Sequence, residues 1–182
     1  MAELPTFQTA RLIIKPRTLS DLTASVAMDC DPEVTKFVAG PWNDPDQHIS
    51  FVRKRIERNY GNGLGYWSIF EHGQPDVFLG WILLAPHDSV GPDIEIGWRL
   101  VRKAWGKGYA TEAATAVLRH AFLVAGLDKI IADIRIENRG SINVATKIGM
   151  RPENIHHTKA SDDQIFTLMR DEYINKVYKY FT

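Results

Sequence analysis

Gly106 and Gly108 stand in the stretch RKAWGKGYAT, with Lys103 and Lys107 beside them. If a helix begins after the second glycine, its first amides have no partner within the helix and carry partial positive charge. Glycine leaves such amides open to a ligand, and the two lysines add positive charge at the same place. The stretch therefore predicts a phosphate-binding loop, with a plain glycine turn as the alternative. It lacks the GK[ST] ending of a Walker loop and the third glycine of a dinucleotide fingerprint.

Periodic patterns on either side indicate what this stretch connects. Upstream, Ile94, Ile96 and Trp98 alternate with polar or small residues, which is the period of a strand. Downstream, apolar residues recur at the period of a helix. These apolar positions are Ala110, Ala113, Ala114, Val117, Leu118, Ala121, Phe122 and Ala125. The stretch is therefore predicted to be a strand-to-helix turn.

The same patterns predict one α/β domain over residues 1–182, built on one mixed sheet. No linker, repeat or low-complexity tract divides the chain. The predicted strands cover residues 11–17, 66–72, 77–86, 93–101 and 129–136, with a final pair near 151–158 and 164–173. The predicted helical segments cover residues 19–30, 31–42, 43–63, 109–125 and 138–149.

Composition argues against several classes of protein. The chain has 22 Lys and Arg against 22 Asp and Glu, so no overall basic field attracts nucleic acid or an anionic membrane. Its longest apolar run, VFLGWILLAP, is far shorter than the roughly 20 residues of a membrane span. Cys30 is the single cysteine, so no intrachain disulfide forms and a cytoplasmic location is expected. The six histidines lack metal-site spacing, and no metal is predicted.

Two motifs resemble those of the GNAT superfamily, the GCN5-related N-acetyltransferases. RKAWGKGYATEA resembles the family's pyrophosphate loop, Q/R-x-x-G-x-G/A, with Lys103 where Gln or Arg is usual. NRGSINVATKIGM resembles its later motif, N-x-x-[AS]-x-x-[LV]-x-x-K-x-G-[FM]. The opening TARLIIKPRTLSDL and the closing FTLMRDEY resemble the ends of the RimJ/RimL-like branch. The resemblance spans nearly the whole chain, and two motifs in the right order are more specific than either alone.

This resemblance implies the acyl-CoA N-acyltransferase fold, a mixed, mostly antiparallel seven-stranded sheet flanked by about four helices. The sheet would splay between its strands 4 and 5, here residues 93–101 and 129–136, with acetyl-CoA in the cleft. Leu100 and Val101 are implied to pair with pantetheine, and Asn138 to hydrogen-bond it near the thioester. The residues implied to surround the pyrophosphate are Arg102, Lys103, Trp105, Gly106, Lys107, Gly108, Tyr109, Ala110 and Thr111.

Amide formation from a thioester needs a base, because an alkylamine with a pKa of about 10 is protonated at neutral pH. The resemblance assigns this role to Glu95, and the alternative is a glutamate on the wet face of an antiparallel strand. Many relatives protonate the leaving thiolate with a tyrosine at the position that is Ala145 here. The resemblance to RimL-like enzymes, which use a serine at this place in the motif, implies Ser141 as the partner instead, with a residue of a helix first turn as the alternative.

The resemblance thus implies an acetyl-CoA-dependent N-acetyltransferase that acts on a primary amine by direct attack in a ternary complex. The acceptor is expected to be a protein N-terminal amine or a small-molecule amine, and the protein a monomer or homodimer. A non-catalytic acyl-CoA-binding or regulatory module is the alternative. Four residues suit a cationic acceptor or serve as turn and cap residues, namely Trp42, Asp44, Asp46 and Asp162.

Overall fold

The computed structural model describes residues 4–61, 63–157 and 162–178, and its strands form one sheet in the order β1-β2-β3-β4-β5-β6-β8-β7. Every neighbouring pair is antiparallel except β5 with β6. The strands are β1 (Phe7–Gln8), β2 (Leu12–Pro16), β3 (Gly65–Glu71), β4 (Gln74–Pro86), β5 (Ile94–Leu100), β6 (Lys129–Arg135), β7 (Arg151–His157) and β8 (Asp162–Met169). The helices are α1 (Leu22–Asp29), α2 (Pro32–Thr35), α3 (Pro45–Glu57), α4 (Tyr109–Leu123), α5 (Arg139–Lys147) and α6 (Arg170–Tyr178).

Different apolar clusters cover the two faces of the sheet. The larger cluster packs α4 against the central strands, and Val117, Leu118 and Phe122 of this helix are almost fully buried. Burial of each such side chain stabilises the fold by about 1.5–3 kcal/mol, so this packing fixes the position of the helix start. The smaller cluster comprises Met28, Val34, Tyr66, Trp81, Leu83 and Ala85. None of the helices in the described ranges has the length and apolar character of a membrane span.

The sheet splays between β5 and β6. β4 pairs with β5 continuously from Gly80 opposite Leu100 to Pro86 opposite Ile94. By contrast, β5 and β6 run parallel and pair at one position, Glu95 with Ile131. Beyond that position, the backbone of β5 borders a cleft instead of a neighbouring strand. The predicted splay between residues 93–101 and 129–136 is confirmed.

The predicted fold class is confirmed, and the described residues contain additional elements. There are eight strands rather than seven, because Phe7 and Gln8 pair with Ile14 and Ile13. Residues 170–173 were expected to end the last strand but begin α6. Together with the four-residue α2, this raises the helices in the described ranges from about four to six.

Candidate active site

Two neighbouring cavities lie along β5 at the splay. The Glu95 cavity, of about 520 Å³, is lined by Glu95, Arg17 and Tyr66 among others. The loop cavity, of about 550 Å³, is bordered by Gly106, Gly108 and the start of α4. The two share a wall drawn from the segment after α2, from β5 and from the start of α5. The residues that line both are Phe37, Val38, Trp98, Arg99, Asn138 and Ser141.

The glycine loop before α4 has the backbone geometry of an anion site. Gly106 has a φ of 73° and Gly108 a φ of 80°, which is the left-handed region that favours glycine. Gly108 is the N-cap of the 15-residue α4, so the amides of the first turn have no partner within the helix. A side chain at Gly106 would extend into open space. The loop therefore presents free amides and a positive dipole end to whatever fills that space.

Arg11 braces this loop from the N-terminal part of the chain. Its guanidinium donates to the Lys107 carbonyl at 2.9 Å and forms an ion pair of 2.7 Å with Glu112. It also lies 4.7 Å from the ring centroid of Tyr109. Glu112 belongs to the first turn of α4, where its negative charge would oppose a bound anion. Pairing with Arg11 offsets that charge and holds the loop against the helix.

Most of the predicted cofactor residues line the loop cavity. They are Leu100, Trp105, Gly106, Gly108, Tyr109, Ala110, Thr111 and Asn138. Four others, Val101, Arg102, Lys103 and Lys107, are not part of its wall. Lys103 and Lys107 are exposed beside the loop. Arg102 instead forms a bidentate pair with Asp31, with N–O distances of 2.9 and 3.0 Å.

The backbone of Val101 is not available for pantetheine, contrary to the implied pairing. Its N–H donates to the Leu79 carbonyl at 3.0 Å, and its carbonyl accepts from Ala104 N–H at 2.9 Å. Because backbone groups alternate in direction along a strand, those of Trp98 and Leu100 face the cleft instead. The Leu100 carbonyl also accepts from the Trp105 indole at 2.8 Å.

Asn138 and Ser141 lie at the junction of the two cavities. Asn138 is the N-cap of α5, and its Oδ1 accepts from the backbone N–H of Ser141 at 3.1 Å. This cap leaves the amide NH₂ of Asn138 available to the cleft. The Ser141 hydroxyl has no hydrogen-bond partner among the described residues. Ala145, where many relatives carry tyrosine, is fully buried in the core.

Glu95 lies on the wall of its cavity in a partly buried position. Burial raises the pKa of its carboxyl from an ordinary 4.5 to about 7; His87 opposes this shift and Asp133 adds to it. His87 itself lies 3.3 Å from Asp133 through Nε2. Gly97, two residues along β5, lines the same cavity and lies beside this carboxyl, because a Cβ there would come within 3.6 Å of Oε1 and within 3.3 Å of the Leu83 side chain. A carboxyl with a pKa near neutrality beside open space can act as a general base.

A cluster of arginines and aromatic rings forms one part of the Glu95 cavity wall. Arg99 is paired with Asp29 at 2.7 Å, and Asp29 also lies 3.4 Å from His48 Nε2. The guanidinium of Arg99 lies 5.0 Å from the Trp81 ring centroid. Arg17 is 8% exposed, and its Nε has no hydrogen-bond partner among the described residues. The cavity wall thus carries cations that the sequence did not indicate.

The residues predicted to suit a cationic acceptor separate into two groups. Trp42 lines the Glu95 cavity, and its ring lies 5.1 Å from the guanidinium of Arg99. Asp44 is absent from this wall because it caps α3, accepting from the Gln47 N–H at 3.0 Å. Asp46 is exposed in the first turn of the same helix, and Asp162 begins β8; neither belongs to the wall. The alternative of turn and cap residues therefore describes Asp44 better.

Sequence reasoning missed Arg17, Arg99 and Arg139. Arg99 shares a strand face with Glu95, so strand alternation could have brought it to attention. Arg139 lines the loop cavity and directly follows the motif asparagine. Arg17 follows β2, far from either motif, and no local signal marks it. Within the described ranges, no cluster of three or more His, Cys, Asp or Glu side chains could hold a metal ion.

Comparison with known proteins identifies relatives of this fold. Residues 11–151 match the family model described as an acetyltransferase (GNAT) domain. The chain is 32% identical over 155 residues to FsC-acetyl coenzyme A-N(2)-transacetylase of Aspergillus fumigatus, covering 80% of its own length and 65% of that protein's.

Two solved structures have the same architecture. A GNAT-family acetyltransferase from Bacillus anthracis superimposes with a TM-score of 0.78 at 26% identity, over 92% of this chain and all of the other. A spermidine N-acetyltransferase from Vibrio cholerae, in complex with CoA and spermine, has a TM-score of 0.74 at 16% identity, over 92% and 100% of the two chains. The predicted enzyme class, an N-acetyltransferase, is confirmed, and the chain belongs to the GNAT acetyltransferase family.

Proposed function

We propose that the protein transfers the acetyl group of acetyl-CoA to a primary amine by direct attack in a ternary complex. The observation that carries this proposal is the junction of two cavities along β5. One cavity is bordered by an anion-binding loop, the other contains a carboxyl poised for base chemistry, and Asn138 and Ser141 line both. Two substrates bound in these cavities would meet at that wall, which lowers the entropic cost of their reaction.

The loop cavity suits acetyl-CoA, which supplies the acetyl group as a thioester. The free amides of residues 108–111 and the left-handed glycines fit a pyrophosphate. The cleft-facing backbone of Trp98 and the N–H of Leu100, whose carbonyl accepts from the Trp105 indole, would pair with the pantetheine arm as a neighbouring strand would. Asn138 would donate its free NH₂ toward that arm. Lys103 and Lys107 would add positive charge at long range from the pyrophosphate. Arg102 would contribute to cofactor binding indirectly, through its ion pair with Asp31.

Glu95 is the proposed general base. A carboxylate with a pKa of about 7 is half ionised at neutral pH and can accept a proton from an amine more readily than an ordinary glutamate. Burial is the main cause of the raised pKa, so filling the cavity with an acceptor favours proton uptake further. His87 contacts Asp133, and both act on the charge of Glu95. His87 therefore offers a route by which the proton leaves toward solvent.

Ser141 is the proposed proton donor for the leaving thiolate. Its hydroxyl lies at the start of α5, on the wall that the two cavities share. The cap of α5 uses only the backbone N–H of Ser141, which leaves the hydroxyl free to turn toward the thioester sulfur. Positive charge at the helix start also favours a developing thiolate there.

The acceptor is proposed to be a protein N-terminal amine or a small-molecule amine, as in the RimJ/RimL-like branch. The Aspergillus fumigatus relative is named for transfer to an N(2) position, and the Vibrio cholerae neighbour acts on spermidine. A cytoplasmic location and a monomeric or homodimeric state stay predictions from the sequence.

A thiol-release assay with acetyl-CoA and a panel of amines tests this function. The panel includes short peptides with free N-termini, amino acids and polyamines, and mass spectrometry identifies the acetylated product. We expect amine-dependent release of CoA with at least one acceptor. Absence of release with every amine, while acetyl-CoA still raises the melting temperature, would favour a non-catalytic acyl-CoA-binding module.

A further inference from the structure

We propose that Arg17 forms an anion subsite of the Glu95 cavity, so that the preferred acceptor is an amine that also carries a carboxylate or phosphate. This inference rests on the proposed function, since it specifies the acceptor class of the same site. None of the site residues predicted from the sequence belongs to this subsite. The subsite is built from Arg17 and the rings of Tyr66 and Trp81, with Arg55 nearby in the same wall.

The guanidinium of Arg17 is buried, and no carboxylate among the described residues forms an ion pair with it. The residue is 8% exposed, and its Nε has no hydrogen-bond partner in the part of the chain that the structure describes. Its guanidinium carbon lies 5.3 and 5.8 Å from the ring centroids of Tyr66 and Trp81. Burial lowers the pKa of Arg17 to about 10, so the group stays charged at neutral pH. A buried, charged donor without a partner is rare and costly unless a ligand completes it.

The two carboxylates whose negative charge raises the pKa of Arg17, Asp29 and Asp21, are bound to other groups. Asp29 accepts from Arg99 at 2.7 Å, and its other oxygen faces His48 at 3.4 Å. Asp21 accepts from the Thr18 N–H at 2.9 Å and from the Ser68 hydroxyl at 3.0 Å. These carboxylates moderate the charge of Arg17 at a distance but do not bind it. A ligand carboxylate or phosphate could form the paired hydrogen bonds that a guanidinium prefers.

Charge in the Glu95 cavity is divided between two ends. Arg17, Tyr66, Leu83 and Gly97 are neighbours across four adjacent strand positions on one face of the sheet. Neighbouring strands lie about 4.8 Å apart, so this row extends over roughly 14 Å from the Arg17 end to the β5 end. The β5 end holds Glu95, whose carboxyl is influenced by Asp133 of β6, whereas the other end holds Arg17.

This division of charge favours a zwitterionic acceptor over a polycation. The amine of such an acceptor would lie near Glu95 while its anionic group reaches Arg17. A polyamine would bring a second cation toward Arg17 and Arg55, which opposes binding by like-charge repulsion. The acidic residues that the sequence offered for a cationic acceptor do not offset this, because Asp44 caps α3 away from the cavity wall.

Matched acceptor pairs test the inference. Aminocaproate is compared with its amide, and phosphoethanolamine with ethanolamine, so each pair differs only in the anionic group; spermidine serves as the polycation. In the thiol-release assay we expect kcat/KM at least about tenfold higher for an anionic member than for its neutral partner. The carboxylate pair and the phosphate pair separate the two possible anions. Equal rates within both pairs, or a preference for spermidine, would overturn the anion subsite while leaving acetyl transfer intact.

Variants at Arg17 test whether a preference for anionic acceptors depends on this residue. Arg17→Gln is expected to lose the discrimination, mainly through KM of the anionic acceptor, and Arg17→Lys to recover part of it. Arg53→Gln, which removes one exposed arginine of α3, is the matched control for net charge. A purely structural role for Arg17 would instead change the KM of anionic and neutral acceptors alike and lower the melting temperature.

Binding of caproate, which has no amine, provides a readout that does not depend on acetyl transfer. Trp81 lies close enough to Arg17 to report occupancy through its fluorescence. We expect caproate, but not caproamide, to change the fluorescence of the wild-type protein, with the effect lost in Arg17→Gln. Failure of the proposed function would leave this signal in place, whereas its absence in the wild-type protein would contradict the subsite.

Discussion

Replacing Glu95 with Gln removes the proposed base while keeping the size and polarity of the side chain. The wild-type enzyme needs Glu95 ionised, and its pKa is about 7. The ionised fraction is therefore about one half at pH 7, about one tenth at pH 6 and about nine tenths at pH 8. We expect kcat/KM of the wild type to fall about tenfold per pH unit below that pKa. Loss of a general base lowers the rate by roughly 10²–10⁴-fold, and we expect Glu95→Gln to lower kcat/KM by a factor in this range at pH 8.

The same substitution is expected to stabilise the fold at high pH. Burial raises the folded-state pKa above the unfolded value of 4.5, so Glu95 favours the folded state less as pH rises from 4.5 through 7. A shift from 4.5 to about 7 corresponds to a penalty of about 3 kcal/mol at pH 8 and about 1 kcal/mol at pH 5. Glu95→Gln has no charge to bury and avoids that penalty.

Two measurements on both proteins check this pair of expectations. Initial rates of thiol release between about pH 5 and pH 9, a range of about two units on each side of the transition, give the pH profile. Thermal or urea unfolding at pH 5 and pH 8 gives the stability difference. A Glu95→Gln enzyme that keeps the acidic limb with the same midpoint would contradict the assignment. If Glu95→Gln changes the free energy of unfolding by the same amount at pH 5 and at pH 8, the raised pKa of Glu95 is contradicted.

Three further substitutions examine the loop, the acid and the corrected acceptor residue. Gly106→Ala and Gly126→Ala should both lose about 1–2 kcal/mol of stability from their left-handed φ, but only Gly106→Ala should raise the KM for acetyl-CoA; an equal KM in both would argue against the phosphate loop. Ser141→Ala should lower kcat by about tenfold with little change in melting temperature, whereas Thr146→Ala on the same helix should leave kcat unchanged; similar kcat values would remove Ser141 from the mechanism. Asp44→Ala should lower stability by about 1 kcal/mol through loss of the helix cap and leave the acceptor KM unchanged; a changed KM would restore Asp44 to the acceptor site.

Local sequence patterns predicted most of the elements that position the site. The alternation in residues 93–101 and the helical period after Gly108 identified the strand-loop-helix unit, because both patterns arise from nearest neighbours along the chain. The two-residue β1 was missed because so short a strand carries no periodic signal, and it forms by pairing with β2. The start of α6 was missed because the apolar run of β8 continues to its last residue, Met169, directly before the helix.

Tertiary contacts explain what the sequence could not indicate at the site. Val101 was implied to face pantetheine, but its N–H is directed to Leu79 by the pairing of β5 with β4. Asp44, by contrast, had a cap as its alternative in the sequence, and the local hydrogen bond from the Gln47 N–H supports that alternative. Arg17 lies far along the chain from Glu95, and only the lateral alignment of β2, β3, β4 and β5 brings them to one cavity.

The measurement that tests direct transfer between the two cavities is a two-substrate initial-rate study. Acetyl-CoA and the best acceptor are varied together, and the double-reciprocal lines are compared. Direct attack in a ternary complex gives lines that intersect, with CoA release that depends on the amine. Parallel lines, or an acetylated enzyme isolated in the absence of acceptor, would contradict the mechanism and point to a covalent intermediate.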